Sequence, residues 1–331
     1  MILSPNQYRA LVRLDFCAFM EAAFYELNPT AGFLHNWHLE EIASALEECR
    51  QGKITRLIIN VPPRSLKSHS ASIAFPAFVL GHDPTAQIIC VSYGQDLANK
   101  LAWECRRLMS GPFYQSLFPE TRLSRDRQAI QEFTTTKFGF RFSASMGGTL
   151  TGRGADFIII DDPLTPEEAL LEAQRNAANR FFDHTLYSRL NDKRTGCIIL
   201  VMQRLHEHDL VGHVLKTEDW KVLRFPAIAE EDEFHEIHTP YGTKHVFRKK
   251  GEALHPEREP LEVLKRIRET QGEYTFAGQY QQAPAPLLPG MVKAKTLSEE
   301  FEVIVVYDET RNEPALQQPQ ISPPLFLSPT E

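Results

Sequence analysis

The sequence lacks the features by which several classes of protein are recognised. No apolar run approaches the roughly 18 residues that a membrane-spanning helix needs, and the first residues lack the apolar centre of a signal peptide. The five cysteines form no CxxC pair and are odd in number. We therefore expect reduced, buried thiols rather than a disulfide framework. These absences predict a cytoplasmic protein with no membrane contact.

The sequence also lacks an excess of basic residues. Its net charge is −7, from 36 Lys and Arg against 43 Asp and Glu, so the whole chain does not have the composition of a basic nucleic-acid binder. Local basic patches are compatible with this balance, and a DNA motor can be acidic overall. With 42% hydrophobic and 24% charged residues among 331, the chain is predicted to form one large or two ordinary soluble domains.

Glycine is missing where a phosphate-binding loop usually has it. An apolar run ends at Val61, a Pro-Pro-Arg turn follows at 62–64, and Lys67-Ser68 begins a predicted helix. This strand–loop–helix order, ending in Lys-Ser, is typical of a phosphate-binding loop. Val61 and Leu66 occupy the two glycine positions of the standard pattern. The match is therefore partial, and an ordinary turn with an exposed lysine is the alternative.

The residues of this loop have predicted roles in binding ATP. The Lys67 ammonium would reach the β- and γ-phosphates, the Ser68 hydroxyl would bind Mg²⁺, and Arg64 could contact the γ-phosphate as a catalytic group. Backbone N–H groups would point at the same anion. The residues predicted to bind the nucleotide here are Pro63, Arg64, Ser65, Leu66, Lys67 and Ser68.

A second group of residues strengthens the nucleotide hypothesis. In residues 157–162, four apolar residues are followed by Asp161 and Asp162, and open α/β folds bind ligands at the carboxyl ends of their strands. Asp161 is predicted to hold Mg²⁺, and Asp162 to act as the catalytic base that orients and deprotonates the attacking water. The alternative is an acidic pair that caps the following helix, for which Asp162-Pro163 would also serve.

Two further pairs extend the predicted site. Gln203-Arg204 directly follows the apolar run 197–202, where a nucleotide motor senses the γ-phosphate, so Gln203 is predicted to contact the nucleotide. Trp37-His38 begins the helix before the loop strand and could stack on or hydrogen-bond an adenine. A core tryptophan and a helix-capping histidine are the alternative. The histidines at 206, 208 and 213 lack the spacing of a zinc site and are predicted to lie on the surface.

Strand and helix patterns alternate along the chain, and the strands are continuous apolar runs, which indicates a mostly parallel sheet with helices on both faces. With the loop and the carboxylates, this predicts a P-loop NTPase of the RecA-like (ASCE) type. The predicted helices cover residues 4–27, 37–51, 67–80, 95–109, 166–191 and 261–271; the predicted strands cover 56–61, 87–93, 157–162, 196–202 and 221–225, with a hairpin within 131–144. The predicted domain organisation is N-terminal helices (1–55), an ATPase core (56–225), a lid and linker (226–290), and either the truncated start of a further domain or a disordered tail (291–331).

Together these motifs resemble the large subunit of tailed-bacteriophage terminases, the ATP-driven motors that package DNA. The matching blocks, which fall within residues 35–290, include RLIINVPPRSLKS, GTLTGRGADFIIIDDP, QRLHEHDLVG, FPAIAEE and YTFAGQYQQAPAPLLPG. The family's loop also uses Pro-Pro-Arg and tolerates loss of the glycines. The resemblance implies ATP and Mg²⁺ as cofactors. It implies as partners double-stranded DNA, contacted non-specifically, a terminase small subunit, the portal of a procapsid, and further copies of the chain in a ring.

The sequence departs from the family after Gly290. The family carries a C-terminal nuclease of the RNase H type, which needs on the order of a hundred residues, whereas only residues 291–331 follow here. Residues 302–307, with Asp308, could be its first strand. We expect a truncated end and no endonuclease activity. The alternatives for the whole chain are a helicase-like, DNA-stimulated ATPase and an inactive prophage remnant.

The resemblance further implies an arginine that stabilises the transition-state charge. The candidates are Arg64, Arg122, Arg125, Arg127 and Arg153. For DNA phosphates, the candidates are Arg248, Lys249 and Lys250, or Lys265, Arg266 and Arg268, although a solvated charged face is the favoured interpretation of both groups.

Overall fold

The apolar runs of the sequence build one eight-stranded sheet, in the order β3-β4-β5-β2-β6-β7-β1-β8. In this computed structural model the described residues are 4–150, 152–284, 306–308 and 313–315, of which 127, 128, 306–308 and 313–315 are described by their backbone alone. The strands are β1 (Arg56–Asn60), β2 (Gln87–Ser92), β3 (Leu123–Gln128), β4 (Glu132–Thr135), β5 (Phe140–Ser145), β6 (Phe157–Asp161), β7 (Cys197–Met202) and β8 (Lys221–Arg224).

Strands β5, β2, β6, β7, β1 and β8 run parallel to one another, and β3 and β4 extend the sheet as an antiparallel edge. The predicted mostly parallel sheet is therefore confirmed. One strand, β7, lies between β1, which leads into the loop, and β6, which ends in the carboxylates. The strands that carry the two predicted motifs are thus separated by one strand of the sheet.

Both faces of the sheet are covered, as continuous apolar strands require. Along β1, Leu57 and Ile59 pack into the apolar cluster on one face and Ile58 into the cluster on the other. The helices are α1 (Pro5–Leu14), α2 (Phe16–Leu27), α3 (Trp37–Arg50), α4 (Phe75–His82), α5 (Gln95–Ser110), α6 (Pro112–Leu117), α7 (Pro166–Leu170), α8 (Glu172–Phe181), α9 (Leu210–Val214), α10 (Leu261–Gln271) and α11 (Glu273–Gln279). Among the residues just described, no helix is long and apolar enough to cross a membrane.

Two predicted helices are interrupted. The predicted helix 4–27 is two helices, because Asp15 adopts an extended conformation and its carboxylate accepts the N–H of Cys17 at 2.8 Å, which starts α2. The predicted helix 166–191 breaks at Leu171, which is also extended, and after α8 it continues as a π-helical turn, Phe182–Leu186, and a 3₁₀ turn, Tyr187–Arg189.

Two further predictions need correction. The helix predicted from residue 67 starts there, but it widens into a π-helical turn, His69–Ala74, before α4. The predicted linker after residue 272 contains α11, because Phe276 and Tyr280 stack with ring centroids 5.2 Å apart and pack into an apolar cluster with Leu264. Aromatic residues one helical turn apart give this segment an apolar face to bury.

A hairpin of β9 (Glu233–Thr239) and β10 (Gly242–Arg248) follows β8 and packs on α3. His235 anchors it. Its Nδ1 lies 2.9 Å from the Glu41 carboxylate on α3 and its Nε2 lies 3.3 Å from that of Glu233. Although burial opposes the charge, hydrogen bonds to the two carboxylates raise the pKa of His235 to about 9.

We expect His235→Gln to remove a pH-dependent part of the stability. Because the pKa of His235 is higher folded than unfolded, the imidazolium stabilises the fold fully below about 6.5 and ceases to do so as the pH rises through about 9. The free energy of unfolding of the wild-type protein should be about 2 kcal/mol higher than that of the variant near pH 6, and most of this difference should disappear by pH 10. Denaturant unfolding across this range measures it. His238→Gln, an exposed change on the same strand, should leave the pH profile unaltered.

The chain divides into two compact units, Met1–Ala285 and Pro286–Glu331. In the second unit, β11 (Val306–Asp308) pairs antiparallel with β12 (Glu313–Ala315). The strand predicted at 302–307 thus overlaps β11 at two residues, and the remainder of that prediction and most of the predicted tail lie outside the described residues.

Candidate functional site

Three parallel strands bring the predicted motifs to one edge of the sheet. The carboxyl ends of β6, β7 and β1 are neighbours, with Asp161 opposite Val201 and Asn60 opposite Met202. The Asn60 amide donates to the Met202 carbonyl at 2.9 Å. The loop after β1 and the acidic pair at the end of β6 therefore face each other across the end of β7.

The loop and the acidic pair are in direct contact. Lys67 Nζ donates to Asp162 Oδ1 at 2.5 Å, and Ser68 Oγ donates to Asp161 Oδ1 at 3.1 Å. Lys67 is almost fully buried, with 8% of its surface exposed. An exposed lysine in an ordinary turn, the alternative suggested by the sequence, is thus inconsistent with this burial.

Asp161 is a buried carboxylate whose surroundings disfavour its ionised form. It is 1% exposed, and its second oxygen accepts a 2.7 Å hydrogen bond from Ser72 Oγ. Burial, and then the neighbouring charge of Asp162, raise the pKa of Asp161 to about 6, although Lys67 and the serine hydroxyls oppose the shift. Sequence reasoning missed Ser72, although its spacing of four from Ser68 places both hydroxyls on one side of a helical turn.

The backbone at Asp162 turns sharply after the strand. Asp162 has a left-handed φ of 48°, and the neighbouring strands hold it there, because its N–H donates to Val201 and its carbonyl accepts from Tyr93, both at 2.9 Å. It does not cap the following helix, since the N-cap of α7 is Thr165. The helix-cap alternative for the acidic pair is therefore wrong at Asp162.

The loop keeps a glycine-like backbone without glycine. Arg64 has φ 63° and Leu66, at the second glycine position, has φ 57°. A left-handed conformation costs a non-glycine residue about 1–2 kcal/mol. Arg258, from the segment before α10, donates to the carbonyl oxygens of Arg64 and, at 3.0 Å, of Pro63. No sequence signal indicated this contact, which spans 194 residues.

The π-helical turn after the loop is supported by a buried arginine. Arg141 on β5 is fully buried and donates to the Ser72 carbonyl at 3.0 Å and to Ser143 Oγ at 2.5 Å. Widened turns free carbonyls from the helical ladder, and such turns are common at functional sites. Arg141 thus supports the backbone of Ser72, whose hydroxyl binds Asp161.

The end of β7 connects the site to a distant part of the chain. Gln203 Oε1 is buried and has no hydrogen-bond partner in the described part of the chain. The next residue, Arg204, is held at two points: its guanidinium donates to buried Asp209 at 2.9 Å, and its N–H donates to Gln282 Oε1 at 3.0 Å. Asp209 also caps α9.

Trp37 and His38 pack against side chains of the hairpin region. The centroid of the Trp37 ring lies 4.3 Å from that of the His235 ring and 5.7 Å from that of the Phe225 ring. His38 is 1% exposed, and burial lowers its pKa to about 3, so the ring is neutral. The N-cap of α3 is Asn36, so His38 does not cap the helix. The predicted contact of this pair with adenine stays a prediction.

Several candidate arginines have other partners. Arg153 pairs with Glu132 at 2.7 Å, and Arg122 donates to the Phe118 and Thr121 carbonyls. Arg248, a candidate for DNA contact, is 2% exposed. Its guanidinium binds Glu233 and backbone carbonyls, so at Arg248 both the solvated charged face and the DNA contact are wrong.

The donors at the loop fit Mg²⁺ chemically. Ser68 Oγ and Asp161 Oδ1 are oxygen ligands, and a cation beside them would relieve the buried charge that raises the pKa of Asp161. Within residues 4–284, leaving out 151, no group of three or more His, Cys, Asp and Glu side chains converges as a metal site. Mg²⁺ at nucleotide sites commonly has only one or two protein ligands, completed by water and phosphate.

Comparisons with known proteins find similarity in solved structures. No protein-family model and no curated protein matches the sequence. The structure is similar to the large terminase of bacteriophage HK97, at 14% identity and a TM-score of 0.41, over 66% of this chain and 44% of that one. It is also similar to the large terminase ATPase domain of Thermus phage P74-26, at 16% identity and a TM-score of 0.46, over 79% of this chain and 97% of that one.

A third similar structure is the large terminase of a thermophilic bacteriophage in complex with ADP, at 9% identity and a TM-score of 0.41, over 71% of this chain and 51% of that one. The chain therefore spans about half the length of the HK97 terminase and of the ADP-bound terminase that it matches.

Proposed function

We propose that this chain is the ATPase motor of a phage terminase large subunit, which hydrolyses ATP with Mg²⁺ and drives double-stranded DNA into a procapsid. The observation that carries the proposal is the contact of Lys67 and Ser68 with Asp161 and Asp162. A lysine, a hydroxyl and two carboxylates at the end of parallel strands are the groups that phosphoryl transfer from ATP uses. The sequence blocks that resemble terminases support the packaging role.

The loop residues have separate tasks in this proposal. The N–H groups of residues 64–68 would hold the phosphates, and Ser68 and Asp161 would hold Mg²⁺, which supplies charge neutralisation when bound. Lys67 would exchange partners. Its ammonium binds Asp162 at 2.5 Å, and a γ-phosphate, which carries more negative charge, would draw it away.

That exchange would free Asp162 to act as the base. Once the Lys67 ammonium no longer uses its oxygens, the Asp162 carboxylate can accept a hydrogen bond from the attacking water and orient it. Asp162 would thus be available to the water only when a nucleotide occupies the loop. Its side chain is one methylene shorter than a glutamate, so the attacking water would lie close to the backbone turn at φ 48°.

The other predicted residues complete the nucleotide contacts. We propose that Gln203, whose Oε1 lacks a partner among the described residues, senses the γ-phosphate. We propose that exposed Arg64 contacts the same group, and that Trp37 and His38 lie at the base end. DNA, a small subunit, a portal and further copies in a ring would be the partners, in the cytoplasm of a bacterial host.

Hydrolysis by the purified chain tests the proposal. We expect Mg²⁺-dependent release of phosphate from ATP, faster with linear double-stranded DNA, and abolished by EDTA. A motor that translocates intact duplex should not displace a strand from a partial duplex, so a strand-displacement assay separates it from a helicase. Absence of hydrolysis under all these conditions would contradict the proposal.

A further inference from the structure

The proposed phosphate-binding loop adopts left-handed backbone conformations although it contains no glycine. In phosphate-binding loops glycine permits left-handed backbone, which turns successive N–H groups towards one anion. Here Arg64 and Leu66 take that conformation with a Cβ present. Such conformations persist where the surrounding structure determines them. Some contact outside the loop must therefore hold this backbone.

Arg258 makes that contact at a specific place. Its Nη2 donates to the carbonyl oxygen of Pro63 at 3.0 Å, and its Nη1 donates to that of Arg64. These oxygens belong to the peptide planes on either side of the Arg64 Cα. Because the guanidinium is planar and rigid, fixing both oxygens fixes the φ and ψ of Arg64 together.

The same contact directs the donors of the loop. In a trans peptide the N–H points opposite to the carbonyl. Carbonyls drawn towards Arg258 therefore turn the N–H groups of Arg64 and Ser65 to the other side of the loop. Backbone N–H groups that point together in this way form an anion-binding concavity.

Arg258 is itself held by its own segment. Leu254 is buried in the core, its N–H donates to the Ala227 carbonyl at 2.7 Å, and its carbonyl accepts from the Asn36 amide at 2.7 Å. The Arg258 N–H donates to the His255 carbonyl at 3.1 Å, which forms a short turn. The position of the guanidinium thus depends on the segment between the hairpin and α10.

We propose that Arg258 is a positioning residue that holds the left-handed backbone of Arg64 and thereby keeps the loop in its phosphate-binding conformation. The inference rests on the proposed function of the loop. It assigns Arg258 no contact with the nucleotide, since both guanidinium donors that reach the loop are used by its carbonyls. The segment 254–258 would then control nucleotide affinity through the backbone of Arg64.

Glycine rescue tests this inference, with ADP affinity by calorimetry as the readout, because ADP lacks the γ-phosphate that Arg64 is proposed to contact. Arg258→Met should weaken ADP binding roughly tenfold or more, since the left-handed backbone is no longer held. Arg64→Gly in the Arg258→Met background should restore affinity to within about threefold of the Arg64→Gly single variant. Arg64→Ala in the same background should not, because it removes the same side chain beyond Cβ but still resists a positive φ.

Controls separate positioning from folding. Arg224→Met also removes arginine donors to two backbone carbonyls, those of Gln281 and Gln282, and should keep ADP affinity even where it lowers the melting temperature. If Arg258→Met fails to fold, Arg258→Lys, which cannot hold both carbonyls in one plane, replaces it with a smaller expected loss. Unchanged binding in Arg258→Met, or equal rescue by glycine and alanine, would overturn the inference.

A nucleotide-independent measurement distinguishes the two proposals. Hydrogen exchange of the amides of residues 64–68 in the nucleotide-free protein should be faster in Arg258→Met and unchanged in Arg224→Met. If the wild-type chain bound neither ADP nor ATP, the proposed function would fail. The role of Arg258 in fixing the loop would still stand or fall by the exchange rates.

Discussion

Lys67→Ala is expected to reduce ATP turnover by roughly a hundredfold to a thousandfold, the usual effect of removing one fixed donor from a transition state. The reason lies in its position. Lys67 is 8% exposed and its ammonium binds Asp162 at 2.5 Å, so no water-exposed cation can replace it without moving the loop. Steady-state phosphate release at saturating ATP measures the loss.

Two measurements accompany this variant. Lys193→Ala, a change of the same kind at an exposed position, should retain turnover. The melting temperature of Lys67→Ala should also be recorded, because the variant leaves two neighbouring carboxylates without their cation and this repulsion destabilises the fold. Turnover by a folded Lys67→Ala within threefold of the wild-type rate would exclude the assignment of the loop.

Asp161→Asn is expected to have opposite effects on activity and stability. Turnover should fall on the order of a hundredfold or more, because a carboxylate ligand of the proposed Mg²⁺ is lost. Without nucleotide and Mg²⁺, the variant should be more stable than the wild-type protein at pH 8. The pKa of Asp161 is raised from 3.8 to about 6, so its ionised form opposes folding. Removing that charge should contribute about 1–3 kcal/mol.

The gain in stability requires that asparagine keep the hydrogen bonds that Asp161 makes with Ser68 and Ser72. Asparagine can still accept from Ser68 and can donate to Ser72, whose hydroxyl rotates to accept. Denaturant unfolding in EDTA measures the difference. Asp219→Asn, an exposed change of identical chemistry, should alter neither activity nor stability. A destabilised but active Asp161→Asn would show that this carboxylate is structural.

The sequence predicted the parts of the site that follow from strand ends. Apolar runs that stop at Val61 and Asp161 identify β1 and β6 because each strand is buried along nearly its whole length. In a parallel sheet their carboxyl ends must meet. The contact of Lys67 with Asp162, from residues 95 apart in sequence, therefore follows from topology and needs no knowledge of side-chain detail.

The sequence did not predict the contacts that depend on the path of a loop. Arg258 lies in a segment without apolar periodicity, and nothing local indicates that it would reach Arg64. The break at Leu171 and the π-helical turns also escaped, because helical patterning specifies which face is buried but not where the hydrogen-bond register shifts. The polar character of Gln281 and Gln282 suggested a linker, whereas both side chains bind backbone of the core.

The hydrogen bond from the Arg204 N–H to the Gln282 side chain links the end of β7 to the segment after α11, so the two can be energetically coupled. Gln282, itself at φ 54°, is held by the residue that follows the proposed γ-phosphate sensor. Binding free energies are reciprocal. If the γ-phosphate of ATP strengthens or weakens this bond by some factor, then a load that breaks the bond at residue 282 must change ATP affinity by the same factor. In the proposed motor, this reciprocity would allow resistance from the DNA to slow ATP hydrolysis.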